Sequence, residues 1–245
     1  MYLYGLVHRS AIEMLAINQI NGIAGDLSWR ESGELAAIVE SGFPAQACAN
    51  SEAALIEAIV SHDRVLLSIF ASQTILPLRF GTEFASEQAL IQHLEKNQIA
   101  YLKAIDALKN KAEISLKLSA TQSEIAPIPA ELKGREYFLA KKEQSQQQQF
   151  IEQYRDRDRA LLSQQLSDRG VQVFEKAADH YLLLCDRNFD LKSILEYWQV
   201  EMEEYDRTNQ PKNQWIWKSS EELPPYHFSG EFLNPHSASW GGLKK

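Results

Sequence analysis

The sequence predicts an α+β protein of two domains: a small N-terminal mixed sheet with two helices, then a C-terminal ferredoxin-like domain. Three observations carry this expectation. Residues 111–218 read in order as strand, long helix, two strands, helix and strand, the β-α-β-β-α-β pattern. The first hundred residues interleave short apolar strands with two amphipathic helices. The length of 245 residues suits one large domain or two small ones, at about 150 residues per domain.

Tyr2 to Val7 is a short run of strand formers and gives the first strand. Asp26–Arg30 and Glu34–Glu40 give two more, with Glu31-Ser32-Gly33 as the hairpin turn. Gly42–Asn50 is a loop. Ser51 caps a helix reaching about Ser72, on which Leu55, Ile59, His62, Leu66 and Ile69 form a buried stripe. Thr74–Phe80 is a strand, and Pro77, lacking an N–H, puts it at a sheet edge or a bulge. Ser86 caps a second helix, with Leu90, Leu94, Tyr101, Leu102, Ile105 and Leu108 on its apolar face.

The domain division falls near residue 110, at Lys109-Asn110-Lys111, giving domains 1–110 and 111–228 and an extended tail 229–245. Ala112–Ala120 alternates, with Ile114, Leu116 and Leu118 on one face. A long helix runs from about Gly134 to Asp168, and Gly170 ends it. Val171–Ala177 and Tyr181–Asp186 are strands. Asp190 to about Asp206 is a helix carrying Leu191, Ile194, Leu195, Trp198 and Met202 on one face, and Asn213–Lys218 is the last strand.

Composition narrows the function. The net charge of -8 lacks the electrostatic footprint for a phosphate backbone and for an anionic membrane surface. No stretch approaches 18 apolar residues, and MYLYGLVHRS lacks the apolar region of a signal peptide. Cys48 and Cys185 have no CxxC spacing and read as thiols in a reducing compartment.

No phosphate loop, dinucleotide fingerprint, HExxH or GxSxG is present, so neither a cofactor nor a metal site is expected. His62-Asp63-Arg64 is the cluster that invites a catalytic reading, since a histidine beside a carboxylate can be a tuned base. Its place on an apolar stripe favours a buried histidine bonded to a neighbouring strand, with Asp63 and Arg64 in a surface ion pair. Cys48 has no local activator. Glu201, Glu203, Glu204 and Asp206 do not match a calcium loop and read as a solvated helix end. Arg155, Asp156, Arg157, Asp158 and Arg159 alternate in sign, the pattern of a solvated helix surface.

Several segments, in matching order over about 225 residues, resemble the gas vesicle F/L family of accessory proteins. Tyr2-Leu3-Tyr4-Gly5-Leu6-Val7 resembles the family's opening YxYGIV strand. Leu35–Val39 is similar to its LAAVV strand, and Gly134–Leu139 to its GxEYL helix start. His62, Val65 and Leu66 followed by Thr74-Ile75-Leu76-Pro77-Leu78-Arg79-Phe80-Gly81-Thr82 resemble the family's most distinctive stretch. Pro224–Phe228 resembles its PPYxF closure, although Glu221, Glu222 and Leu223 replace the usual Gly, Pro and Trp. Gly81 is expected to take a positive φ.

The resemblance implies a non-enzymatic accessory protein, without cofactor, that binds the main gas vesicle shell protein and other accessory proteins. It implies a cytoplasmic location before assembly and the gas vesicle afterwards. A shell subunit that builds an apolar wall needs a holder before assembly. Candidate partner-binding residues are Thr74, Leu76, Leu78 and Arg79 on the edge strand, Trp215, Ile216 and Trp217 on the last strand, and Tyr226 and Phe228. For Trp215 and Trp217 the competing reading is burial in the domain core, with Ile216 under the tail. The alternative for the whole chain is a small-molecule-binding or enzymatic α+β protein with a pocket near His62.

Overall fold

The computed structural model describes residues 1–41, 51–120, 125–205 and 215–228, with residues 201–205 described by backbone alone. Cys48 and its loop, the side chains of Glu201, Met202, Glu203 and Glu204, residue Asp206, and the tail 229–245 therefore lie outside the described part. The chain divides into two compact units, Met1–Glu113 with Glu222–Lys245, and Ile114–Glu221. Residues 222–228, expected in the second domain, thus belong with the first. Leu223 forms a bridge with Glu113, the His227 N–H donates to the Glu113 carboxylate over 2.7 Å, and Tyr226 packs on the first core.

The first unit contains β1 (Tyr2–His8), β2 (Leu27–Ser32), β3 (Leu35–Glu40), α1 (Glu52–Phe70), β4 (Leu76–Pro77) and α2 (Glu87–Ala107). The strands form one sheet in the order β2-β3-β1-β4. The sheet expected there is present, and its three pairings are antiparallel instead of mixed. The β2–β3 turn is tighter than expected, since Ser32 already pairs with Leu35. Gly33 takes the first central position at φ 58, the place where a two-residue hairpin turn of the II′ class requires glycine. Ser51 and Ser86 cap their helices as expected, accepting from the N–H groups of Ala54 and Ala89.

Strand β4 is a correction. The expected strand Thr74–Phe80 shrinks to Leu76–Pro77, at the sheet edge beside β1. Pro77 donates nothing to a ladder, and the chain then turns, with Thr82 N–H and hydroxyl both donating to the Arg79 carbonyl. Gly81 has φ 87 there, as expected. The stripe on α1 is also corrected. Burial runs from Ala58 through His62, Leu66 and Phe70, whereas Leu55 and Ile59 are exposed with Ile56 and Val60. The first turns of α1 present aliphatic side chains to solvent.

The second unit contains most of β5 (Lys111–Ala120), then α3 (Gly134–Ser167), β6 (Gln172–Ala177), β7 (His180–Asp186), α4 (Leu191–Tyr205) and β8 (Trp215–Ser219). Its sheet has the order β6-β7-β5-β8. Alternate residues of β5, β7 and β8 meet α3 and α4 in one core: Ile114, Leu116 and Leu118, Tyr181, Leu183 and Cys185, and Trp215. Helix α3 spans about 51 Å at 1.5 Å per residue, yet its buried residues are Asp158, Leu162 and Leu166, all near the C-terminal end. That end closes in a Schellman arrangement. Val171 N–H donates to the Leu166 carbonyl and Gly170 N–H to that of Ser167, with Gly170 at φ 76.

Candidate functional site

Apart from Gly134–Leu139, the segments that carry the family resemblance lie in the first unit. Strand β1 alternates, so Tyr2 and Tyr4 point to one face of the sheet, and both are buried. Helix α1 lays His62 against them. The His62 ring stacks on Tyr4 with centroids 5.2 Å apart and meets Tyr2 and Phe80 edge-on. Tyr2 Oη lies 2.7 Å from His62 Nδ1, and His62 Nε2 lies 3.1 Å from the Leu78 carbonyl oxygen. A carbonyl only accepts, so Nε2 carries the proton, and Nδ1 accepts from the Tyr2 hydroxyl. Tyr2 Oη in turn accepts from the Gly81 N–H at 3.3 Å. One histidine thus ties α1 to β1 and to the irregular segment after β4.

Tyr4 extends the network to β3. Its hydroxyl donates to the Glu40 carboxylate, which also accepts from the N–H groups of Ile23 at 2.9 Å and Ala24 at 2.7 Å. Glu40 is fully buried, and three donors compensate its desolvation. Gly22 lies against it, since a Cβ there would sit 2.5 Å from a Glu40 oxygen. Gly5 is constrained in the same way, with a would-be Cβ 3.0 Å from the Leu76 carbonyl oxygen and 2.8 Å from Ile75. The glycine of the opening strand is what lets β4 approach β1.

This network is closed to chemistry. Both ring nitrogens of His62 are engaged and the residue is buried. Burial lowers its affinity for a proton, opposed by the Leu78 hydrogen bond and the charge of Asp63. Burial likewise pushes the hydroxyls of Tyr2 and Tyr4 up. Asp63, expected to pair with Arg64, accepts instead from the Tyr226 hydroxyl at 3.2 Å. An open hollow of about 540 Å³ in this unit is lined by His8, Arg9, Ser10, Ile12, Glu13, Glu31, Gly33 and Glu34, and His62 takes no part in it. The buried structural histidine is therefore the reading the geometry supports.

The candidate partner-binding residues divide by burial. Leu76, Leu78, Trp215 and Phe228 are core residues. Thr74, Trp217 and Tyr226 are half-buried, and Arg79 is exposed. Ile216 is 61% exposed. On β8 the tryptophans face the core and Ile216 faces away, as strand alternation requires.

A second network, in the second unit, corrects the expectation of a solvated helix surface at Arg155–Arg159. Asp158 is buried. Its side chain accepts from the Trp215 indole at 3.1 Å and its backbone carbonyl from the Trp198 indole at 3.0 Å. Arg159 grips Asp179 through two nitrogens, at 2.6 and 3.3 Å, and reaches Glu152 and Asp156. Here alternating charge marks the point where α3 meets α4 and β8. The sequence signal was the pair of distant tryptophans, each needing an acceptor once buried.

Comparison with known proteins points to the family that the motifs resemble. The model of the gas vesicle synthesis protein GvpL/GvpF family matches residues 1–230. No curated protein sequence matches the chain. Among solved structures, the gas vesicle protein GvpF from Anabaena sp. PCC7120 is similar at 15% identity and a TM-score of 0.59, covering 93% of this chain and 94% of that one. GvpF from Microcystis aeruginosa is similar at 16% identity and a TM-score of 0.56, covering 93% and 98%. The two structures share the fold of this chain, and the family match spans nearly all of it: the protein belongs to the gas vesicle GvpL/GvpF family.

Proposed function

We propose that the protein is an accessory component of the gas vesicle that binds the hydrophobic main shell protein, together with other accessory proteins, while the shell assembles. In this reading it is cytoplasmic before assembly and stays with the vesicle afterwards. The second unit serves as a ferredoxin-like module, a reading supported by its element order and its β6-β7-β5-β8 sheet. The observation that carries the binding role is the solvent face of α1. Leu55, Ile56, Ile59 and Val60 occupy two successive turns of one helix side, and Ile56 and Val60 are 55% and 50% exposed. Exposed aliphatic stripes of this kind mark interaction surfaces. An apolar segment of the shell protein fits that face, and membership of a gas vesicle family supports a gas vesicle component as the partner.

Of the sequence candidates, Ile216 and Arg79 keep exposed side chains for a partner, and the aliphatic face of α1 joins them. The test is a pull-down with the shell protein, using the wild type and the double variant Ile56→Ser/Val60→Ser. Recovery of the shell protein by the wild type and loss by the variant is expected. No recovery by the wild type overturns the shell-protein reading, and equal recovery by both moves the contact off α1.

A further inference from the structure

The chain is acidic, with 33 Asp and Glu against 25 Lys and Arg. Its second sheet nevertheless collects cationic groups on one face. Lys117 of β5 and Lys218 of β8 are direct register partners across an antiparallel pair. Such side chains stand about 5 Å apart at Cβ, and like charges there are destabilising. They lie on the face opposite Leu116, Leu118, Trp215 and Trp217, which contact the core. His180 of β7 joins them on that face, 2.9 Å from the hydroxyl of Ser115. Burial first, then the charges of Lys117 and Lys176, lower its affinity for a proton, so Lys176 shares this field. All three lysines are exposed, and none forms an ion pair among the described residues.

A lysine on an edge strand has a plain explanation, since it blocks unwanted pairing. That accounts for Lys218, because β8 is the terminal strand of its sheet among the described residues. It does not account for Lys117, which sits on β5, between β7 and β8. Edge protection needs one charge, and the structure sets two against each other. An anionic partner relieves that opposition. Beside the pair, Ile216 is exposed opposite Ser119 and shares a face with Lys218 two residues on.

We propose that the β8 edge of the second sheet docks an acidic polypeptide segment as an added strand. The added strand places a carboxylate beside Lys218, with Lys117 one strand further in at about 10 Å, and an apolar side chain two residues away beside Ile216. Backbone pairing along Trp215–Ser219 gives the register, and the charges select the partner. The proposal uses no residue of the aliphatic face of α1 and does not rest on the shell-protein reading.

The test uses the full chain and two synthetic peptides, one alternating valine and glutamate and one alternating valine and lysine. The readout is amide hydrogen exchange at Trp215–Ser219. The glutamate peptide is expected to slow exchange there about tenfold more than the lysine peptide, equivalent to about 1.4 kcal/mol. The double variant Lys117→Glu/Lys218→Glu is expected to reverse that preference. Should it misfold, Lys117→Gln with a salt titration of the wild type replaces it, and both are expected to weaken the glutamate peptide. Equal protection by both peptides, protection by neither, or protection indifferent to these charges overturns the proposal and leaves edge protection as the role of Lys218.

Discussion

The pH dependence of the first unit is set in part by His62. Its side chain is buried, with Nδ1 accepting from Tyr2 and Nε2 donating to Leu78. Burial depresses its folded pKa below the ordinary histidine value of 6.5. Above that value both folded and unfolded states hold a neutral ring, and the group adds no pH dependence. Below it the unfolded chain binds a proton that the folded chain refuses. Stability is therefore present above the unfolded pKa and falls as pH drops toward the folded one. One proton gives a limiting slope of about 1.4 kcal/mol per pH unit. His93 is also depressed, by burial and by Lys96, so the wild type alone does not isolate His62. The control is His62→Gln, which keeps a donor and an acceptor but does not titrate. Urea unfolding of both proteins from about pH 7.5 to 5.5 is expected to give a wild-type slope steeper than the variant's below about pH 6.5, by no more than that limit. Equal slopes would show that His62 is protonated in the fold or reached by water, and would refute the network.

Three further changes probe the packing. Gly5→Ala drives a methyl against the Leu76 carbonyl and Ile75, and is expected to cost about 1–3 kcal/mol in urea unfolding followed at the first unit. Glu40→Ala strips the acceptor from Ile23, Ala24 and Tyr4. A loss of about 3 kcal/mol or more is expected, with faster hydrogen exchange at Ile23 and Ala24. Trp215→Phe keeps most of the buried ring but removes the indole donor to Asp158. It is expected to cost about 1–3 kcal/mol, read by the thermal unfolding of the second unit.

Helix and strand positions were legible where period and capping agree, as at Ser51, Ser86 and Gly170. Periodicity could not tell which part of a helix backs a sheet. Leu55 and Ile59 share the spacing of Leu66 and Ile69, yet only the latter pair is buried. The buried role of His62 was legible because an apolar stripe leaves a polar ring one option, hydrogen bonding to a neighbour. Glu40 was not, because a strand-end glutamate looks like a solvated one until the Gly22–Ala24 turn folds its N–H groups onto it. The same holds for Asp158, whose two indole contacts come from 40 and 57 residues away. Long-range acceptors leave no local spacing to read.

The return of residues 222–228 to the first unit sets an order of events during synthesis. The chain reaches Glu113 early, but Tyr226 and Phe228, which pack in or against the first unit, are made only after the whole of Ile114–Glu221. At ribosomal speeds that interval is on the order of ten seconds. The unit made second is thus the one whose covalent chain is completed first. Until the last segment arrives, the nascent first unit lacks Phe228 as a core residue and Tyr226 as the donor to Asp63. The first unit therefore finishes its packing only after the second has been made.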